Sequence, residues 1–199
     1  MTLLRNVIKS RWNDEYDLAH LAFEPSSTSS IVTTNIKQPE VKKEVAKVKT
    51  VFSVGDLKYT ITNVANKEVS VEKNTTDGPS GALNIPETID QFDLTYNITS
   101  IADEGFAYAY NITSVTLPNS LKSIGKLSFY DSQRISSISI PNSVTTIETD
   151  AFGRCLSLKT INIPSGTSHL SDNLFASCKS LATITIPNTV TSIGKSIFY

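Results

Sequence analysis

A single period governs the second half of this 199-residue chain. Pro118, Pro141, Pro164 and Pro187 stand 23 residues apart, and so do Phe106, Phe129, Phe152, Phe175 and Phe198. Ile101, Ile124, Ile147, Leu170 and Ile193 make a third column, and Val115, Ile138, Ile161 and Ile184 a fourth. Four columns in one phase do not arise by chance, and a period of this length marks a chain built from stacked, self-similar units. One unit cannot bury its own apolar side chains. A stack turns each column into a continuous internal ladder, in which each large side chain contributes roughly 1.5–3 kcal/mol.

Within a unit, Ile112-Thr-Ser-Val115-Thr-Leu117-Pro118 sets apolar residues at three positions. The same slots hold Ile135, Ile138 and Ile140, then Leu158, Ile161 and Ile163, then Leu181, Ile184 and Ile186. Alternation with polar, often β-branched residues predicts a short half-buried strand. Proline follows at once; lacking an N–H for the ladder, it should end each strand at the same point. The remainder of the unit carries one Ile or Leu and, five positions on, one Phe. It reads as a return path, a turn or short helix, that sends its Phe into the shared interior. The expected fold is a β-rich solenoid with a parallel strand ladder.

The stretches NITSVTLPNSLKSIGKLSFY (Asn111–Tyr130), ISSISIPNSVTTIETDAFGRC (Ile135–Cys155) and LATITIPNTVTSIGKSIF (Leu181–Phe198) resemble the BspA-type leucine-rich repeat, whose pattern runs I-P-x-S-V-x-x-I-G-x-x-A-F. The unit Leu158–Ser180 departs furthest, with Gly166-Thr-Ser-His169-Leu170 where S-V-x-x-I would stand. The resemblance covers about half the chain. It implies a leucine-rich-repeat solenoid of a kind common on the surfaces of bacteria and some protozoa, often linked to adhesion, and it implies no catalytic residues.

Ahead of the repeats the chain divides by composition. Over 1–25, Leu3, Leu4, Val7, Ile8, Trp12 and Tyr16 recur at helical steps, and Glu24-Pro25 supplies a stop. This amphipathic helix is expected to pack on its own protein or a sister chain. Arg5, Lys9 and Arg11 interrupt any apolar core, so the stretch does not read as a secretory signal. Asp14, Glu15 and Asp17 argue against docking on anionic lipid. Residues 26–50, with a Ser/Thr run and lysines interleaved with Glu40 and Glu44, read as a flexible polar linker. From 51 to 88 the alternation of Leu57, Tyr59 and Ile61 and the turn signal around Gly78 and Gly81 predict a β cap that shields the first unit. The repeats then run over 89–199. Ile89, Phe92 and Leu94 are taken in register with Ile112, Val115 and Leu117, and the last unit, from Leu181, is incomplete. Ile184, Ile193 and Phe198 are expected to face an open end, a candidate surface for self-association.

The search for chemistry is brief. Net charge is −1 and no segment approaches the ~20 apolar residues of a membrane span, so neither nucleic acid nor a spanning helix is expected. No nucleotide, metalloprotease or nucleophile-elbow motif occurs. Cys155 and Cys178 share a column with Ala109 and Ser132. Equivalent positions on adjacent turns lie roughly 5 Å apart, within reach of a disulfide. The column equally suits free thiols in a buried row of small side chains, which is the preferred reading. His20 falls in the leading helix and His169 in a column of Ser and Thr, where it reads as a surface turn residue. Asp103, Glu104, Glu148, Asp150 and Asp172 read as a solvated rim. Three N-x-[S/T] sequons, at Asn74, Asn97 and Asn111, matter only in a secreted eukaryotic chain. An enzyme and a cofactor are not expected.

What remains is surface. Ser114 and Thr116, Ser137 and Ser139, Thr160 and Asn162, and Thr183 and Thr185 should face outward between the buried strand positions. Such residues suit any exposed sheet face, yet solenoids also bind proteins or glycans across faces of this kind. Without aromatic or arginine anchors the band predicts weak, multivalent contact. The sequence therefore reads as a non-enzymatic recognition or adhesion module. The alternatives are a cytoplasmic scaffold or effector docked by its leading helix, or a truncated repeat fragment without independent function. Cell-surface location is suggested by the resemblance only.

Overall fold

The computed structural model describes residues 47–199, which fall within one compact unit, Lys43–Tyr199. The leading helix and most of the connector lie outside the described residues. At the connector's end, Lys47–Thr50 form a turn, with the Lys49 N–H donating to Ile61 O at 2.8 Å.

The described chain is strand-rich and contains no helix. Strands β1 (Val51–Val54), β2 (Leu57–Asn63) and β3 (Glu68–Lys73) form an antiparallel meander. Alternation puts Leu57, Tyr59, Ile61, Val69 and Val71 on its buried side. β4 (Gly81–Asn84), β5 (Thr88–Gln91) and β6 (Leu94–Ile101) follow. Two parallel ladders then carry the repeats. The first runs β4, β7 (Ile112–Thr116), β9 (Ser137–Ser139), β11 (Thr160–Asn162), β13 (Thr183–Thr185). The second continues from the meander through β3 and β6 to β8 (Ser123–Ile124) and β10 (Thr146–Ile147). β12 (His169–Leu170) pairs with β14 (Ser192–Ile193) as a separate two-stranded sheet.

The interior is organised by the phenylalanines. The rings of Phe106, Phe129, Phe152, Phe175 and Phe198 stack in sequence at centroid distances of 5.4, 5.7, 5.8 and 6.1 Å, within 12° of parallel. Leu121 and Val144 are likewise fully buried. The return path that delivers each Phe is a turn rather than a helix, and two left-handed residues per unit shape it. One set is Glu104, Leu127, Asp150 and Asn173, with φ of 56, 55, 57 and 56°; the other is Tyr108, Asp131, Arg154 and Ser177, with φ of 58, 56, 60 and 58°. Such backbone costs a non-glycine residue roughly 1–2 kcal/mol. It also aims alternate N–H groups at the next unit: Glu104, Phe106 and Tyr108 donate to Lys126, Ser128 and Tyr130 carbonyls at 2.8, 2.7 and 2.8 Å. A helix would have used those N–H groups internally.

One expected register is not the one observed. Val115 pairs with Leu83 and Thr116 with Asn84, so β4 is the ladder neighbour of β7, not the segment Ile89–Leu94. The reason lies in Ile85-Pro86, which ends β4 as Leu117-Pro118 ends β7; the Ile85 N–H donates to Thr116 O at 3.1 Å. The residues that follow fold out as an antiparallel hairpin, β5 against β6, turning at Phe92 and Asp93. Both have positive φ (54 and 57°), as a two-residue hairpin loop of this twist requires. Phe92 is held there by edge contact with Phe52 at 5.9 Å.

The unit that departs from the sequence pattern also departs in structure. Thr145 and Glu148 N–H groups donate to Lys122 and Ile124 carbonyls, and Thr191 and Gly194 donate to Ser168 and Leu170. Among the described residues, no backbone bond joins Ser168 or Ser171 to the preceding unit in the same way. The Ser171 hydroxyl takes the Ile147 carbonyl instead, at 2.6 Å. Nearby, Thr167 occupies the column of Leu121 and Val144, and its buried hydroxyl has no partner. At Gly166 the chain runs close to its neighbour: a Cβ there would lie 2.9 Å from Val144 O and 3.0 Å from Asn142 O.

Candidate functional site

The first ladder presents the outward band. Pro at the end of each strand keeps the strands short, and alternation leaves Val115, Ile138 and Ile161 inward and their neighbours outward. Register aligns the band residue by residue: Ser114 with Ser137, Thr116 with Ser139, Ser137 with Thr160, Thr160 with Thr183 and Asn162 with Thr185. Seven of the eight are exposed and Ser114 is half-buried. Ser114, Thr116, Ser137, Ser139, Thr160 and Asn162 border a shallow concavity of about 480 Å³ that also touches Val115, Ile138 and Ile161, whose side chains point inward. Thr183 and Thr185 extend the same sheet beyond that concavity. Ala82 and Asn84 extend it on the other side, both exposed and paired with Ser114 and Thr116. The Ile85-Pro86 dipeptide was the signal that places them there.

One member of the band is already engaged. Asn162 accepts from the Ile140 N–H at 2.9 Å and donates to the Ile140 carbonyl at 2.7 Å, closing the end of β9. The others offer free hydroxyls, a surface able to hydrogen-bond to a ligand but carrying no acid–base pair.

The remaining chemistry-bearing side chains serve the stack. Asp103 and Asp172 each accept a backbone N–H from the next unit, Lys126 at 2.9 Å and Lys195 at 2.7 Å. A Cβ at Gly125 would sit 2.6 Å from the Asp103 carboxylate, so the glycine of the I-G pair makes room for that bond. Glu87 accepts from the Asn119 and Ser120 N–H groups at 2.7 and 3.0 Å; these bonds hold its carboxyl below the ordinary glutamate value. Cys155 and Cys178 are free, each thiol donating to a phenylalanine carbonyl of the unit before, Phe129 at 3.2 Å and Phe152 at 3.1 Å. Burial pushes Cys178 up to about 11 and raises Cys155 well above its usual value, so neither is a reactive thiolate. His169 contacts Ser192 at 2.8 Å on the surface, beside a polar groove of about 390 Å³ lined in part by Glu148 and Asp172. Among the described residues, no three His, Cys, Asp or Glu side chains gather to hold a metal, and no helix is long and apolar enough to cross a membrane.

Comparison with known proteins points one way. The chain aligns in structure with a leucine-rich repeat protein from T. pallidum at a TM-score of 0.65 and 24% identity, covering 74% of this chain and 66% of that one. The pneumococcal vaccine antigen PcpA gives 0.63 at 19% identity, with coverage of 77% and 48%. A leucine-rich cell surface protein from Faecalibacterium prausnitzii gives 0.55 at 22% identity, with coverage of 76% and 52%. The chain thus spans under two thirds of the T. pallidum protein and about half of the other two. No curated protein matches it in sequence. The sequence pattern of the BspA-type leucine-rich repeat region, however, matches in 6 copies across residues 60–199. The chain belongs to the BspA-type leucine-rich-repeat family.

Proposed function

We propose that this protein is a non-enzymatic recognition or adhesion module, a solenoid of 23-residue units that binds protein or glycan ligands through the outward face of its first ladder. The observation that carries the reading is the unbroken run of parallel strands from β4 to β13, whose outward hydroxyls border a shallow concavity. Register pairs such as Ser114 with Ser137 and Thr160 with Thr183 support the 23-residue unit. The meander β1–β3 acts as the N-terminal cap, since β3 continues directly into the second ladder and buries Val69 and Val71. A face held rigid by neighbouring strands loses little entropy on binding. Its lack of large anchors favours weak contacts made many at a time, as between crowded copies on a surface.

The last unit adds a second contact surface. Ile193 and Phe198 are each 57% exposed, which supports self-association through that end. Sedimentation of the native chain and a Phe198→Ser variant tests it: concentration-dependent association should disappear in the variant.

The ligand face is tested with Thr116→Lys, Ser139→Lys and Thr185→Lys combined, leaving Asn162 to its structural bond. Against an immobilised panel of proteins, binding by the native chain should be lost in the triple variant while its circular dichroism is unchanged. Equal binding by both proteins would show that another face is used.

A further inference from the structure

The aromatic and arginine anchors missing from the sheet face are gathered elsewhere, on the turns that follow the phenylalanines. Tyr108 lies edge-on to Tyr130 of the next unit, 5.8 Å away at 79°, and 6.3 Å from Tyr110 at 59°. Tyr108 and Tyr110 are 49% and 46% exposed. Beside them Asp131 is buried and fully engaged: Arg154 Nε and Gln133 Nε2 donate to Oδ1 at 2.8 and 3.2 Å, and the Tyr110 hydroxyl donates to Oδ2 at 3.1 Å. Burial alone would raise the Asp131 carboxyl, but these bonds outweigh it and hold it below the ordinary aspartate value. Arg154 stays half exposed, and among the described residues neither of its Nη groups makes a hydrogen bond.

A network that merely stapled units together would need Asp131 and Arg154 but not two half-exposed tyrosine rings. The left-handed backbone of Tyr108, φ 58°, recurs at Asp131, Arg154 and Ser177 and belongs to the repeat, not to the patch.

We propose that this patch is a binding site for neutral pyranose sugars of glycan chains, separate from the sheet face. The C–H face of a pyranose is weakly positive and stacks on the negative face of an aromatic ring. The free edge of the Arg154 guanidinium, fixed in direction by its bond to Asp131, donates to adjacent sugar hydroxyls. The Gln133 amide oxygen accepts from another. Asp131 and Arg154 cancel in charge, so the patch does not select an anion. A protein partner fits less well. Protein interfaces take about 20–30 residues a side, whereas the free groups here are two tyrosine rings and one guanidinium edge. A pyranose needs only a ring to lie on and planar polar groups at its edge.

The test is an array of uncharged oligosaccharides ending in hexoses or N-acetylhexosamines, probed with the full chain, followed by titration of the brightest one. Tyr108→Ala with Tyr110→Ala should weaken binding tenfold or more. Arg154→Lys, which loses the fork, should weaken it several-fold, and the triple lysine variant of the sheet face should bind as the native chain does. In the native chain the ring resonances of Tyr108 and Tyr110 should shift on titration, a readout that survives if the double variant folds poorly. The proposal is overturned by any of three outcomes: no neutral sugar bound, binding intact in the tyrosine variant, or tyrosine resonances unmoved while sugar binds.

Discussion

Two ladders pass through the same units of chain, and only one is unbroken. The first pairs β7, β9, β11 and β13 in register; the second is interrupted between β10 and β12. Both are fed by the same phenylalanine stack, so the difference comes from local residues. Where Ser-Val would stand, Gly166-Thr167 lets the chain press against Val144 O at one point and puts an unpaired hydroxyl into an apolar column at the next. The lesson is that a stacked fold tolerates a local misfit on one side, because side-chain columns and the other ladder hold the unit in place.

The strongest way to break that comparison is to remove what both ladders share. Phe152→Ala, between Phe129 and Phe175, should cost about 3–5 kcal/mol and destabilise the whole stack in urea. Phe198→Ala, already 57% exposed, should cost far less. At the misfit itself, Gly166→Ala places a methyl against Val144 O and should cost about 1–3 kcal/mol, measured by thermal unfolding. Thr167→Val should act in the opposite direction. It restores the apolar column and deletes a buried hydroxyl without a partner, for a gain of about 1–2 kcal/mol. The smallest effect concerns pH. Asp131 is held below its ordinary value in the folded state, so its contribution is present above the usual aspartate range and lost as pH falls through the depressed value. Urea midpoints taken from neutral pH to below about 4 should fall less steeply for Asp131→Asn than for the native chain.

The columns were legible because apolar side chains at fixed spacing leave a sequence signature that burial then enforces. Val115, Ile138 and Ile161 went inward, and the hydroxyl residues between them outward, as alternation dictates. The first register is not legible from spacing, because Ile89, Phe92 and Leu94 fit the columns while Pro86 decides where the strand stops and the hairpin begins. The turn geometry was less accessible still: left-handed Leu127, Arg154 and Tyr108 have no local preference for that conformation and adopt it because the neighbouring unit accepts their N–H groups. Asn162 is exposed as alternation dictates, but spacing carries no sign that its amide closes β9. The tyrosine patch left no repeating trace, since the column of Tyr108, Asp131 and Arg154 changes residue type at every unit, and its members meet Tyr130 only when three units stack.

Native-state hydrogen exchange compares the two ladders directly. Amides of Ile138 and Ile161, inside the continuous ladder, should exchange only by global unfolding, whereas those of Ser168 and Ser171 should exchange orders of magnitude faster. That contrast would establish a rigid first-ladder face beside an open seam. Equal protection at all four amides would mean that the second ladder is closed in solution. Fast exchange at Ile138 and Ile161 would contradict the account at its centre, for the face would then be mobile.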